Sequence, residues 1–85
     1  MTLDTLKSAS RVIGIKQVSK AVKRESVMSV FIADDADERV TAPLVLLCEE
    51  HGVTVEHAET MQELGKACGI EVGAAAAAVL KQPIC

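Results

Sequence analysis

The stretch Val27-Met28-Ser29-Val30-Phe31-Ile32-Ala33 constrains this chain more than any other. It is β-branched and almost wholly apolar, so as a strand it has no face fit for water and must be covered on both sides. A chain of 85 residues has one small core with which to do this, near the size at which a single core is just adequate. The segments on either side provide the cover. Thr2 to Ser10 reads as a helix with Leu3 and Leu6 as apolar contacts and Thr2 or Asp4 as caps. Arg11-Val12-Ile13 is a short extended segment ending at Gly14, and a helix from Lys16 to Arg24 follows.

Beyond the central run, Asp34-Asp35-Ala36-Asp37-Glu38 closes the strand as an acidic loop. Its spacing lacks the glycine and final glutamate of a calcium loop, so helix capping by Asp35 or Asp37 is the expectation. Thr41-Ala42-Pro43 is expected to start the next helix, with Leu44, Leu47 and Cys48 as its apolar stripe and Gly52 as its stop after His51. Val53 to His57 alternates as a short strand. Thr60-Met61-Gln62-Glu63 has the form of a capping box, opening a helix that runs to Cys68 and stops at Gly69. Ala74 to Ala78 has the propensity of a helix, yet the alternation calls for a final strand, and Ala75 to Leu80 is predicted to form it. The pattern implies one domain over residues 1–85, an α/β fold built as a three-layer α/β/α sandwich around a four-stranded mixed sheet.

Phe31 is the only aromatic residue, which removes base stacking on an aromatic platform as a binding mechanism. No apolar run approaches the roughly 20 residues of a membrane span, and the first residues lack a signal-peptide core, so a cytoplasmic protein with no membrane partner is expected. Cys48, Cys68 and Cys85 have no metal-ligand spacing and read as reduced thiols. His51 and His57 read as surface or capping groups, and no cofactor is implied. A thiol nucleophile served by either histidine is an enzymatic alternative, although no motif places these groups together.

The net charge of −3 conceals an asymmetry. Residues 1–24 carry six basic residues against Asp4, a net +5, and the remainder carries three against 11 acids, a net −8. Such a division implies one basic face on an acidic body. At helical spacing Val18, Ala21 and Val22 share the buried side of the basic helix, while Lys16, Gln17, Lys20, Lys23 and Arg24 point to water. Its first turn offers unpaired N–H groups, an anion-binding end where the macrodipole disfavours cations. Lys16, placed there two residues after the opening glycine, fits a role in holding RNA, though a merely solvated lysine-rich helix has the same charge.

Gly14-Ile15-Lys16-Gln17-Val18-Ser19-Lys20-Ala21-Val22 resembles the Gly-x-Asn-Glu-Val-Thr-Lys-Ala signature of the kink-turn-binding ribosomal proteins of the L-seven-Ae type. The likeness continues through Asp34-Asp35-Ala36-Asp37, Leu46 to Glu50 and Glu63 to Val72, collinear over nearly the whole chain. Lys-Gln in place of Asn-Glu is similar to the small bacterial, ribosome-associated YbxF-like members. The resemblance implies a non-enzymatic RNA-binding protein, a monomer that recognises a bent duplex with a short bulge and sheared G·A pairs. The RNA would be ribosomal, a riboswitch or another transcript, with the ribosome as a further partner.

The resemblance assigns roles to matching positions. Lys20 would donate to a guanine edge or a phosphate, Gln17 would bond a base edge through its amide, and Lys16 would meet phosphate as a point charge. Gly14 would admit close backbone approach. Ile70, Glu71, Val72 and Gly73 match the loop that covers bulged nucleotides, and Asp37 matches an acidic position near a flipped-out nucleotide. Lys23 and Arg24 would add diffuse attraction to phosphate. Glu25 stands where the family usually has glycine, at a cost of about 1 kcal/mol if its backbone is left-handed. A ribosome-associated protein–protein adaptor with the same fold and little RNA affinity is the alternative within this family.

Overall fold

In the computed structural model, which describes residues 11–70 and 72–81, the chain alternates as β1 (Arg11–Ile13), α1 (Ile15–Lys23), β2 (Val27–Ala33), α2 (Glu38–Glu50), β3 (Thr54–Ala58), α3 (Met61–Ala67) and β4 (Ala76–Leu80). The helix expected over Thr2 to Ser10, together with Glu71 and Cys85, lies outside the described residues. The strands form one mixed sheet in the order β1-β4-β2-β3. Strand β4 is antiparallel to both its neighbours, and β2 is parallel to β3.

Alternation along β2 sends its side chains into two separate cores, as its sequence requires. Val30 and Ile32 join Val18 and Val22 of α1 and Leu44 and Cys48 of α2 on one face. Phe31 and Ala33 join Leu64, Ala67 and Cys68 on the other, under α3. The result is the expected α/β/α sandwich. Among the described residues no helix is long and apolar enough to cross a membrane.

The alanine run is a strand, as topology demanded. Ala76 and Ala78 enter the α1/α2 core and Ala77 the α3 core, all with no exposed surface. Alanine's helix preference amounts to less than about 1 kcal/mol per residue. Ladders along both edges of β4, plus complete burial on both faces, outweigh it.

Helix α2 departs from expectation by starting at Glu38, a turn before Thr41. Asp37 is the reason. Its Oδ1 accepts the Arg39 N–H at 2.9 Å and its carbonyl accepts those of Val40 and Thr41. Pro43 therefore sits inside the helix, where its missing N–H leaves the Arg39 carbonyl without its usual helical donor. Strand β3 likewise starts at Thr54, one residue later than expected, and extends to Ala58.

The three helices among the described residues stop with the same hydrogen-bond pair. In α1 the Glu25 N–H reaches the Val22 carbonyl and the Ser26 N–H reaches that of Ala21. Gly52 and Gly69 occupy the equivalent left-handed position after α2 and α3. After α1 it is filled by Glu25, at φ 56°. A side chain there crowds its own backbone, so Glu25→Gly should raise stability by about 1 kcal/mol. Thermal unfolding should show a Tm higher by roughly 4–8 °C for a domain of this size; an unchanged or lower Tm would mean that the turn is not strained.

Candidate nucleic-acid interface

The topology brings four chain segments to one end of the sheet. Strands β1, β2 and β3 finish there and β4 begins there, because β4 runs against β1 and β2. The Gly14 N–H donates to the Ala76 carbonyl at 2.9 Å, and the Ala33 N–H to that of Ala75 at 3.0 Å. The start of α1 is thus fixed beside the loop that enters β4.

Gly14 has φ 98° and ψ 148°, a conformation essentially reserved for glycine. Nothing lies within 4 Å of where its Cβ would be. The glycine is needed for the turn, and it leaves the approach to the helix open. Helix α1 then begins with no side-chain cap and no acid in its first turn. The other two helices are closed. Asp37 caps α2, with Glu38 in its first turn, and Thr60 Oγ1 accepts the Glu63 N–H of α3 at 3.0 Å.

Buried Val18, Ala21 and Val22 hold α1 down and leave Lys16, Gln17 and Lys20 exposed in its first two turns. Lys23 and Arg24 are also exposed, but about 10 Å further along the helix axis. They stand at the opposite end of the sheet, well away from the Gly14 turn.

The loop leading to β4 is seated by glycines. A Cβ on Gly65, in the middle of α3, would run into the Val72 carbonyl, and one on Gly73 would lie 3.1 Å from the Met61 Cβ. The Ala74 N–H donates to the Met61 carbonyl at 3.0 Å, so the segment returns along α3. Met61 is fixed in turn by Asp35, whose Oδ1 accepts its N–H at 2.7 Å. This seating divides the two apolar loop residues. Ile70 is half-buried against the α3 core, whereas Val72 stands 70% exposed beside exposed Gly73.

Each aspartate of the acidic loop has a structural partner. Asp34 Oδ1 lies 2.8 Å from His57 Nδ1, Asp35 holds Met61, and Asp37 caps α2. The Arg39 guanidinium reaches Asp37 at 2.9 Å, and its side chain first, then its backbone N–H, hold the Asp37 carboxyl below its usual value. That cap persists below the ordinary carboxylate range and is lost as pH falls through the lowered value. Among the described residues no group of three His, Cys, Asp or Glu side chains could hold a metal ion. Cys48 and Cys68 are buried free thiols, and burial pushes both up, away from the thiolate that a nucleophile requires.

Sequence reasoning missed two supports, of which only the first left no signal in the sequence. Arg11 donates from Nε at 3.1 Å and from Nη2 at 2.7 Å to the Cys68 carbonyl at the end of α3, 57 residues away. Gly65 carried a usable signal, because a glycine inside a helical pattern costs about 1 kcal/mol and implies a close approach.

With this geometry in place, residues 2–83 match the model of the ribosomal protein L7Ae/L30e/S12e/Gadd45 family. The chain belongs to that family. An RNA-binding protein of Bacillus pumilus is 48% identical over 81 residues, covering 94% of this chain and 99% of its own. The RNA-binding protein YbxF of Geobacillus stearothermophilus is 40% identical over 76 residues, covering 89% and 93%. The 15.5kD RNA binding protein of Giardia lamblia superposes with a TM-score of 0.86 at 30% identity, covering 94% of this chain and 71% of that one. These names describe RNA-binding proteins, not enzymes, and they agree with the likeness to small bacterial members. For this L7Ae-family chain the seating of residues 72–73 has a checkable sign. Gly65→Ala should destabilise by about 1–3 kcal/mol in urea denaturation, because overpacking against Val72 exceeds the helix propensity gained. A stabilised variant would mean that the loop is free to move away.

Proposed function

We propose that this chain is a non-enzymatic RNA-binding protein that recognises and stabilises kink-turns. The observation that carries the reading is the open start of α1, bearing Lys16, Gln17 and Lys20 and tied through Gly14 to β4, whose entry loop leaves Val72 exposed. The names of its relatives support the RNA class. A regular A-form major groove is too deep and narrow for side chains to read, so a helix end needs a groove that a bulge and sheared G·A pairs have opened.

Lys20 donates to a guanine edge or its phosphate, and Gln17 bonds a base edge without adding charge. Lys16 and the helix N–H groups hold phosphate. Gly14 keeps the backbone close, and Glu71, Val72 and Gly73 cover the unstacked nucleotides. Ile70 supports that cover from the core side. Asp37 borders the flipped nucleotide and Lys23 and Arg24 attract flanking phosphates at longer range. By linkage the protein favours the bent RNA because it binds that conformer better than the extended one. The natural RNA is a structured transcript, bound in the cytoplasm by the monomer, with the ribosome as a site of association.

A kink-turn RNA labelled at both ends for energy transfer tests this, beside a control with Watson–Crick pairs in place of the sheared pairs. Saturable bending of the first RNA alone is expected. Lys20→Ala should weaken it by about 10- to 100-fold, the value of one good base-edge contact. Log affinity against log salt should fall with a slope of roughly −2 to −4. Equal binding to both RNAs, or to neither, would leave an adaptor with the same fold as the better account.

A further inference from the structure

Helix α2 is apolar around more of its circumference than its packing uses. Thr41, Leu44 and Cys48 are buried against the sheet, yet Leu46 is 60% and Val40 44% exposed, with Ala42 and Pro43 beside them. A helix apolar on this scale is normally enclosed, and exposed apolar surface beside a groove marks a binding face. Here the groove lies between α2 and β3, with a volume of about 500 Å³ and a floor that includes Ile32, Ala36 and Val45. Among the described residues β3 is the edge of the sheet, and no strand closes that side.

The charges around the groove say what fits it. Asp34 and Glu38 line it, and Glu38, Ala42, Val45 and Glu49 fall on one stripe of α2, at helical spacing. Arg39, the basic residue of α2, is tied to Asp37. An RNA or an anionic membrane would meet like charge. A second copy would set these acids against their own counterparts if the contact were symmetric. If it offered its basic α1 instead, the exposed face of Lys16, Gln17, Lys20, Lys23 and Arg24 has no apolar side chain to fill the groove.

We propose that the α2–β3 groove is a protein-docking site that takes a cationic amphipathic helical segment of a partner protein, apolar side chains inward and lysine or arginine on the acidic rim. This inference goes beyond RNA recognition. It gives the molecule a second surface, towards the sheet edge opposite β1. Helix-in-groove binding by apolar anchors at i, i+3, i+4 and i+7, with charge setting the choice of partner, is the mode that fits.

The probe is a synthetic helical peptide of about 16 residues, with leucine at the anchor positions and lysine elsewhere, and its glutamate counterpart. Each is titrated into the full-length protein and followed by amide NMR. The lysine peptide should shift Ala42, Val45, Leu46 and His57 and the glutamate peptide should not. Leu46→Asp should weaken binding by about tenfold or more. The double variant Glu38→Lys/Glu49→Lys should reverse the preference between the peptides. Leu46 is exposed and outside the surface assigned to RNA, so kink-turn affinity of Leu46→Asp measured on the same samples should stay within about twofold of the parent. Absence of groove shifts at millimolar peptide, or shifts indifferent to Leu46→Asp, would overturn the proposal. So would concentration-dependent dimerisation abolished by Leu46→Asp, which would give the groove to a second copy, or loss of RNA affinity in that variant, which would give it to RNA. A protein that binds no kink-turn yet takes the lysine peptide in the groove would sink the RNA reading and leave this one standing.

Discussion

The antiparallel placement of β4 between β1 and β2 is the constraint from which the rest of the molecule follows. It turns a chain of simple alternation into one whose last strand begins where three others end. Three alanines carry it, each fully buried, with a ladder on either side. Small side chains let helices pack closely on both faces of the strand. The Gly14 N–H to the Ala76 carbonyl closes the arrangement. Through that contact the helix start at residue 15 and the loop at residues 72–75, more than half the chain apart, are held at one end of the sheet.

Capping then decides which helix end is open. Asp37 and Thr60 close α2 and α3 with side-chain oxygens, and Asp35 reaches across to Met61. Nothing comparable stands at α1, where glycine sets the turn and Lys16 stands in the first turn in place of the acids normally found there. Apart from Glu25 at the far end of α1, the acids of the described residues lie on the other helices and on the α2–β3 side. One molecule therefore presents a positive helix end and a negative edge, and each repels what the other attracts.

Much of this was legible in sequence, for local reasons. Helix α1 announces itself by period and strand β2 by an unbroken apolar run, and Gly52 and Gly69 mark left-handed stops. The resemblance to the family rested on the same local blocks, and the family match bears it out. What was not legible depended on contacts distant in sequence or on competition between neighbours. Pro43 read as a first-turn residue because the stronger cap, Asp37, lay six positions earlier. The different burial of Ile70 and Val72 follows from the path of the loop over Gly65, which no pattern within the loop specifies. The Arg11 contact to the Cys68 carbonyl joins residues that no periodicity relates. The apolar excess of α2 was visible as composition, but its exposed side emerged only once the sheet edge was in place.

The central claim is that the open end of α1 and the loop before β4 act as one RNA-binding surface. Amide hydrogen exchange of the protein with and without kink-turn RNA, read by mass spectrometry, tests it most directly. The account predicts slowed exchange in peptides spanning residues 14–20 and 70–76 together, with α2 beyond its Asp37 cap unchanged. Protection confined to α2 and β3, or protection of α1 without the loop, would contradict it.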